Sequence, residues 1–363
     1  MTKLTSIALF AATGAISLGV TYACRVVAVR HALLDQPNDR SAHAVPKPRL
    51  GGVGVIGAFL IVSAFLMPAG LVPGSAVVPL AATGAIALLG FIDDLRPLAA
   101  RWRFGVQLAA ASAVVAFRFA ALPQAAGPLL GSILPAWVLA PLAVLWMVWL
   151  TNLYNFMDGI DGLAGGQAVV GGMAIAAAAW ICGAPATAAL AVALACASLG
   201  FLFLNFPPSS IFMGDVGSTA IGFFFGCVPL LPDHHPVSFE IVGVALSLFI
   251  LDATVTLVRR VARGQRWYEP HRSHYYQRPL ALGIGHRPIT LSAYLGFAVV
   301  GAFAAFMPIA TVPLRLALAA GAAAVFVLAA QVVRGMERAR GRAAEAAAAG
   351  AEAEAAKSGR HAA

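Results

Sequence analysis

Apolar residues run along this chain in long, nearly unbroken stretches. They show neither strict alternation nor a narrow stripe. A helix needs about 20 mostly apolar residues to cross a bilayer. Eleven stretches come near that length, at 4–24, 51–70, 75–92, 104–122, 132–151, 163–183, 186–204, 217–232, 240–258, 289–308 and 312–333. None has the period-two pattern of a barrel strand, and backbone in lipid must bond within its own segment. The pattern therefore predicts an all-α, polytopic membrane protein with about eleven transmembrane helices. The first stretch is followed by Arg25, Arg30 and further apolar stretches, which reads as a first transmembrane helix rather than a cleaved signal.

Composition agrees. The chain is 60% hydrophobic and 11% charged, against roughly 45–50% and about 25% in soluble domains. The formal charge of +9 is read as a topological signal rather than a nucleic-acid surface, so no nucleic-acid partner is expected. All Lys and Arg residues except Lys3, Arg118 and Arg315 fall in 25–50, 93–103, 259–287 or beyond 333. With eleven spans those segments share one side. The positive-inside rule makes it the cytoplasmic side, with the N-terminus outside and the C-terminus inside. Residues 1–333 read as a single transmembrane domain and 334–363 as a solvated, Ala-rich cytoplasmic tail. Cys24, Cys182, Cys196 and Cys227 lie in or beside apolar stretches, with no metal or disulfide spacing.

The segments assigned to the cytoplasm carry the chemistry. Asp93 and Asp94 close the stretch TGAIALLGFI; adjacent carboxylates near lipid call for a cation or for solvent. Pro97 breaks a DDxxD pattern. Asp158 and Asp161 in NLYNFMDGIDGLAGG share one face if a helix has begun there, beside Asn152 and Asn155. Helix capping or packing is the plain alternative. Asp215 follows Pro207 and Pro208 in NFPPSSIFMGDVGS. The helix starting there offers N–H groups to a phosphate, or simply uses Asp215 or Ser218 as its cap. His271, Arg272 and His274 lie in a basic, aromatic loop suited to phosphate oxygens, or to lipid headgroups. His43, Lys47 and Arg49 beside Gly51 and Gly52 form a weaker candidate anion site. Asp252, inside a span, is read as pairing with Arg259 or Arg260.

Together these acids suggest Mg²⁺, with Mn²⁺ as a second choice; the bases suggest phosphate and the spans a lipid substrate. The reaction class is metal-assisted phosphoryl transfer at a membrane surface. A transporter or lipid-linked-sugar flippase is the alternative. It needs polar residues near the bilayer midplane, where only Asp252 and Arg118 are candidates.

The motifs DQPNDRSAHAVPKPRLGG, FIDDLRP, NLYNFMDGIDGLAGG, NFPPSSIFMGDVGS and HRSHYYQRP, in that order across about 35–280, resemble the MraY/WecA-type polyprenyl-phosphate N-acetylhexosamine-1-phosphate transferases. The resemblance implies transfer of a phosphosugar from a UDP-N-acetylhexosamine to undecaprenyl phosphate, with release of UMP, at the cytoplasmic face of a bacterial inner membrane. It implies Asp215 as the Mg²⁺ ligand and Asp93 and Asp94 as the catalytic pair, with His271 and His274 as further catalytic candidates. Asn155, Asp158, Asp161, Asn205, Phe212 and Arg272 would lie against the substrates, Phe212 stacking on uracil. The peptidoglycan branch has three consecutive histidines where this chain has HRSHYYQR. The chain looks closer to the branch that starts O-antigen (lipopolysaccharide) or other surface glycans. A second copy of the chain is a candidate partner.

Overall fold

A computed structural model describes residues 3–35, 46–266 and 271–361. His43 lies outside the described residues. The long helices are α1 (Lys3–Arg30), α2 (Gly52–Leu66), α3 (Val77–Leu95) and α4 (Ala100–Phe117). After the one-turn helices α5 (Leu122–Ala125) and α6 (Gly127–Leu130) come α7 (Ala136–Phe156), α8 (Leu163–Cys182), α9 (Pro185–Asn205) and α10 (Asp215–Cys227). The chain finishes with α11 (Phe239–Ala245), α12 (Ser247–Ala262), the short α13 (Arg278–Ala281), α14 (His286–Phe306) and α15 (Val312–His361). The only strands among the described residues are β1 (Leu34–Asp35) and β2 (Lys47–Pro48), paired antiparallel.

Every apolar stretch in the sequence falls on a helix, but the helices are unequal. Among the described residues seven are long and apolar enough to cross a membrane, or nine if each of two bent pairs is one span. Gly52–Leu66 and Asp215–Leu230 are shorter apolar helices. The bent pairs turn by 73° after Phe117 and by 82° between α11 and α12. Large apolar side chains cover the exterior: Trp137, Trp180, Phe203 and Leu295 are each more than 70% exposed. In water such a surface would be costly, whereas in lipid it is solvated.

α10 is the centre of the bundle. Every residue from Val216 to Cys227 is buried, and α2, α3, α7 pack around it. Its small residues set the spacing. A Cβ on Gly52 would lie 2.3 Å from the Gly217 Cα, so α2 and α10 touch backbone to backbone at the end where α10 begins. Further along, Phe59 of α2 meets Phe224 edge-on with ring centroids 4.7 Å apart. α3 therefore ends, and α10 starts, at the same end of the bundle.

The tail differs from the sequence expectation. α15 continues without a break past residue 333 as one helix of 50 residues, about 75 Å long. Its stretch after 333 also docks: Arg334 donates to the Tyr275 hydroxyl at 2.6 Å, and Glu337 forms a two-pronged ion pair with Arg278. It is thus not only a solvated extension.

Candidate active site

Three segments that are far apart in the chain bring carboxylates to the end of the bundle where α10 begins. The α3 carboxylates come first. Asp93 is buried, accepts from Arg103 Nη1 at 2.9 Å and from the Leu98 backbone N–H. Asp94 reaches across to α10 and accepts from the backbone N–H groups of Asp215 and Val216, both at 3.0 Å. A carboxylate on the first two amides of a helix is a cap supplied by another helix, favoured by the helix dipole. The next two amides, of Gly217 and Ser218, go to the Gly214 carbonyl. The start of α10 therefore has no N–H groups left for a phosphate, and neither Asp215 nor Ser218 is its cap.

Asp215 itself is half-buried and lies 3.7 Å from Arg103 Nη1, so one guanidinium serves both Asp93 and Asp215. Asn155, on the last turn of α7, accepts from the Ser218 hydroxyl at 2.8 Å and ties α7 to α10. Asp158 follows in the loop beyond α7. Burial raises its carboxyl well above the usual carboxylate range, and the charges of Asp215, Asp94 and Asp161 push it further the same way. Asp93, Asp94, Asp158 and Asp215 thus form one acid-rich group, with Arg103 the cation that touches two of them.

Asp161 plays a different part from the one its motif suggests. It is 4% exposed and accepts from Lys47 Nζ at 3.2 Å and from the Ser209 N–H at 3.0 Å. His286 Nδ1 lies 3.4 Å from the same oxygen, Oδ2, and 3.2 Å from the Asp161 backbone N. Burial pushes this carboxyl up, but His286, Ser209 and Lys47 outweigh burial and hold it below the usual range. Its oxygens are bonded within the protein, and it holds Lys47 in place. The Lys47 ammonium also sits over the Phe212 ring, 5.1 Å from its centroid. Asn205 is likewise a brace: it is 3% exposed, its Oδ1 accepts from Gly162 N–H and its Nδ2 donates to the Ile211 carbonyl, each at 2.9 Å. Asn205 thereby ties the start of the 162–163 turn to the 205–211 loop.

The last loop packs beside the acid group. Tyr276 donates its hydroxyl to the Phe156 carbonyl at 2.9 Å. His274 is buried, with its ring 6.5 Å from that of Phe156. His271 is half-buried, stacks 4.9 Å from His274, and is pushed down to about 4 by burial and then by His274. Arg272 is exposed. Asp252 does not pair with Arg259 or Arg260. It accepts instead from the backbone of this loop, at Tyr275 and Tyr276.

Arg103, Ser209, His286 and Tyr276 were not singled out from the sequence. Arg103 had a weak signal, as one of the basic residues in 93–103; the others are ordinary loop or helix-end residues whose partners lie far away in the chain. Among the described residues no three His, Cys, Asp or Glu side chains form a ready metal cage. A hard cation such as Mg²⁺ takes only one or two carboxylates, the rest being water and phosphate oxygens. The all-oxygen, acid-rich donor set around Asp215 and Asp158 fits that requirement. An apolar groove of about 550 Å³ lies between α12, α14 and α15, lined by Phe249, Phe297, Phe326 and Val333, and Met157 beside Asp158 also lines it.

Comparison with known proteins gives a consistent result. The sequence model of Glycosyl transferase family 4 matches residues 76–232, which hold Asp93, Asp94, Asp158, Asp161 and Asp215. The chain is 32% identical over 285 residues to a probable undecaprenyl-phosphate N-acetylglucosaminyl 1-phosphate transferase of Bacillus subtilis, covering 76% of this chain and 77% of that protein. It is 30% identical over 303 residues to the undecaprenyl-phosphate alpha-N-acetylglucosaminyl 1-phosphate transferase of Escherichia coli, covering 78% and 80%. A decaprenyl-phosphate N-acetylglucosaminephosphotransferase of Mycobacterium tuberculosis is 30% identical over 310 residues, with 76% of each chain covered. The motifs, the acid group they build and these relatives agree: the chain belongs to glycosyl transferase family 4, among the MraY/WecA-type membrane transferases.

Proposed function

We propose that this protein transfers an N-acetylhexosamine-1-phosphate from a UDP-linked sugar to undecaprenyl phosphate, releasing UMP, as the first step of a lipid-linked surface glycan. The observation that carries the reading is the meeting of Asp93, Asp94, Asp158 and Asp215, drawn from three separate motifs, at one end of the bundle. The E. coli and B. subtilis relatives are named for N-acetylglucosaminyl 1-phosphate transfer, which supports a UDP-N-acetylglucosamine donor. The apolar groove that reaches Met157 supports a prenyl acceptor. The Lys and Arg distribution supports a site at the cytoplasmic face.

In this reading Asp215, with Asp158 beside it, would hold Mg²⁺ or Mn²⁺, which when bound supplies charge neutralisation to the donor's diphosphate. The chain's own groups do the rest. An acceptor phosphate oxygen forms a bond to the β-phosphorus while the bond from that phosphorus to the bridging oxygen breaks, and the electron pair leaves with UMP. A phosphate monoester has its second pKa near about 6, so the acceptor is mostly ionised at neutral pH and needs no strong base. Arg103 lies at Asp93 and Asp215, where it offsets charge gathering on the transferred group. Lys47, held by Asp161, offers a second cation beside Phe212, the aromatic surface for uracil.

The test is UMP release by the purified protein with undecaprenyl phosphate, UDP-N-acetylglucosamine and Mg²⁺. Asp215→Asn and Asp94→Asn should each lose about 100-fold or more. Full activity in both folded variants overturns the site. No structural observation favours a transporter: Arg118 is bonded to the Leu230 and Leu231 carbonyls, and Asp252 to the last loop.

A further inference from the structure

Asp252 is a buried carboxylate inside α12 that the transfer reaction above does not use. It lies in α12, beyond the 82° bend that follows α11, and is 4% exposed. A buried carboxylate costs several kcal/mol unless donors surround it. Here they do. Tyr275 N–H donates to Oδ1 at 2.9 Å and Tyr276 N–H to Oδ2 at 3.0 Å. Thr256 Oγ1 lies 3.1 Å and His274 Nδ1 3.3 Å from Oδ1.

This arrangement has two effects. Two consecutive backbone amides on the two oxygens of one carboxylate clamp the turn at 274–276. The contact at His274 Nδ1 places the ring proton there and fixes the ring's rotation, as a carboxylate does for a functional histidine elsewhere. The ring is further held between His271 and Tyr276, whose centroids lie 4.9 and 5.7 Å away. From Tyr276 the hydroxyl continues to the Phe156 carbonyl, two positions before Asp158. An unbroken chain of polar contacts therefore runs from the inside of α12 to the loop that carries Asp158.

We propose that Asp252 is a positioning residue for phosphosugar transfer: it holds the last loop and sets the His274 ring against the Phe156–Asp158 segment. The inference rests on the transferase reading above. Asp252 touches no substrate; it acts through His274 and Tyr276.

The test uses the full-length protein in detergent. Asp252→Asn, nearly the same size, turns one oxygen into a donor that faces a backbone N–H. It should lower kcat about 10–100-fold while KM for the UDP-sugar changes far less. Asp252→Glu, which keeps a carboxylate, should recover part of the loss. In the double variant Asp252→Asn/His274→Ala the loss should fall short of the product of the two single losses, because part of the Asp252 effect passes through the His274 ring. A wild-type kcat in Asp252→Asn, or losses that multiply in the double variant, overturns the proposal. If Asp252→Asn does not fold, Tyr276→Phe interrupts the same chain of contacts at its other end and should also lower kcat, with unchanged kcat counting against the link. A second readout is independent of activity. Trypsin should cut after the exposed Arg272 faster in Asp252→Asn than in the wild type. If the wild-type protein releases no UMP at all, the transferase reading fails, and the cleavage rate alone decides whether Asp252 clamps the loop; an unchanged rate rejects the clamp.

Discussion

Gly214 has φ +77°, and a Cβ there would come 2.6 Å from Asp94 Oδ2. Gly214→Ala therefore strains the backbone and presses on the carboxylate that caps α10. We expect a loss of about 1–3 kcal/mol in thermal stability, and a drop in UMP release larger than stability alone explains. Asp161 gives a pH prediction. Its native pKa is held below the unfolded value of about 3.9, so its stabilisation is fully present above pH ~4 and is lost as pH falls further. Asp161→Asn should cost about 3 kcal/mol near neutral pH, because it leaves Lys47 without its buried partner. The gap between the two unfolding midpoints should narrow below pH ~4. A constant gap down to pH 3 would reject the assignment. At this scale the sequence was informative where a carboxylate stood at the polar edge of an apolar stretch, as with Asp93, Asp94, Asp158 and Asp215. It was silent on use. Asp161 and Asn205 have the same residue types as the acid group and its neighbours, yet their polar atoms are already bonded to Ser209, Lys47, Gly162 and Ile211. Only the folded loops decide which side chains are spent in this way.

Helices were legible because length and apolarity decide them, and each stretch in the sequence is helical, though 240–258 is split between α11 and α12. Direction was not legible. No Pro stands at or beside Leu246, yet α11 and α12 diverge by 82° there, and that bend carries Asp252 beneath the last loop. Nor did an alanine-rich tail announce that Arg334 and Glu337 would pack on Tyr275 and Arg278. A pair of truncations separates the two parts of α15. Removing 346–363 should leave UMP release within about twofold of wild type, as surface changes away from packed features do. Removing everything after 333 takes away both contacts, and trypsin should then cut the 271–279 loop faster. Equal cleavage rates in the two truncations would show that the tail does not brace the loop.

For the molecule as a whole, the proposed sidedness rests on charge. Lys47, Arg103 and the acid group share one end of the bundle, and by the positive-inside rule we propose that this end is cytoplasmic. A C-terminal reporter that is active only in the cytoplasm should be active on this protein, and an N-terminal one silent; the reverse pattern would invert the topology.

The enclosure of α10 also bears on how the protein is made. The apolar helix Asp215–Leu230 reaches about 24 Å, less than the roughly 30 Å of hydrocarbon it would have to cross. It has no face turned to lipid, since α2, α3 and α7 surround it. It opens on an Asp whose backbone amide is satisfied only by Asp94 of α3. Such a segment is a poor candidate to leave the translocon alone. It is expected to wait beside α9 until α2, α3 and α7 have formed a slot for it, so that the acid group assembles only once α10 has entered.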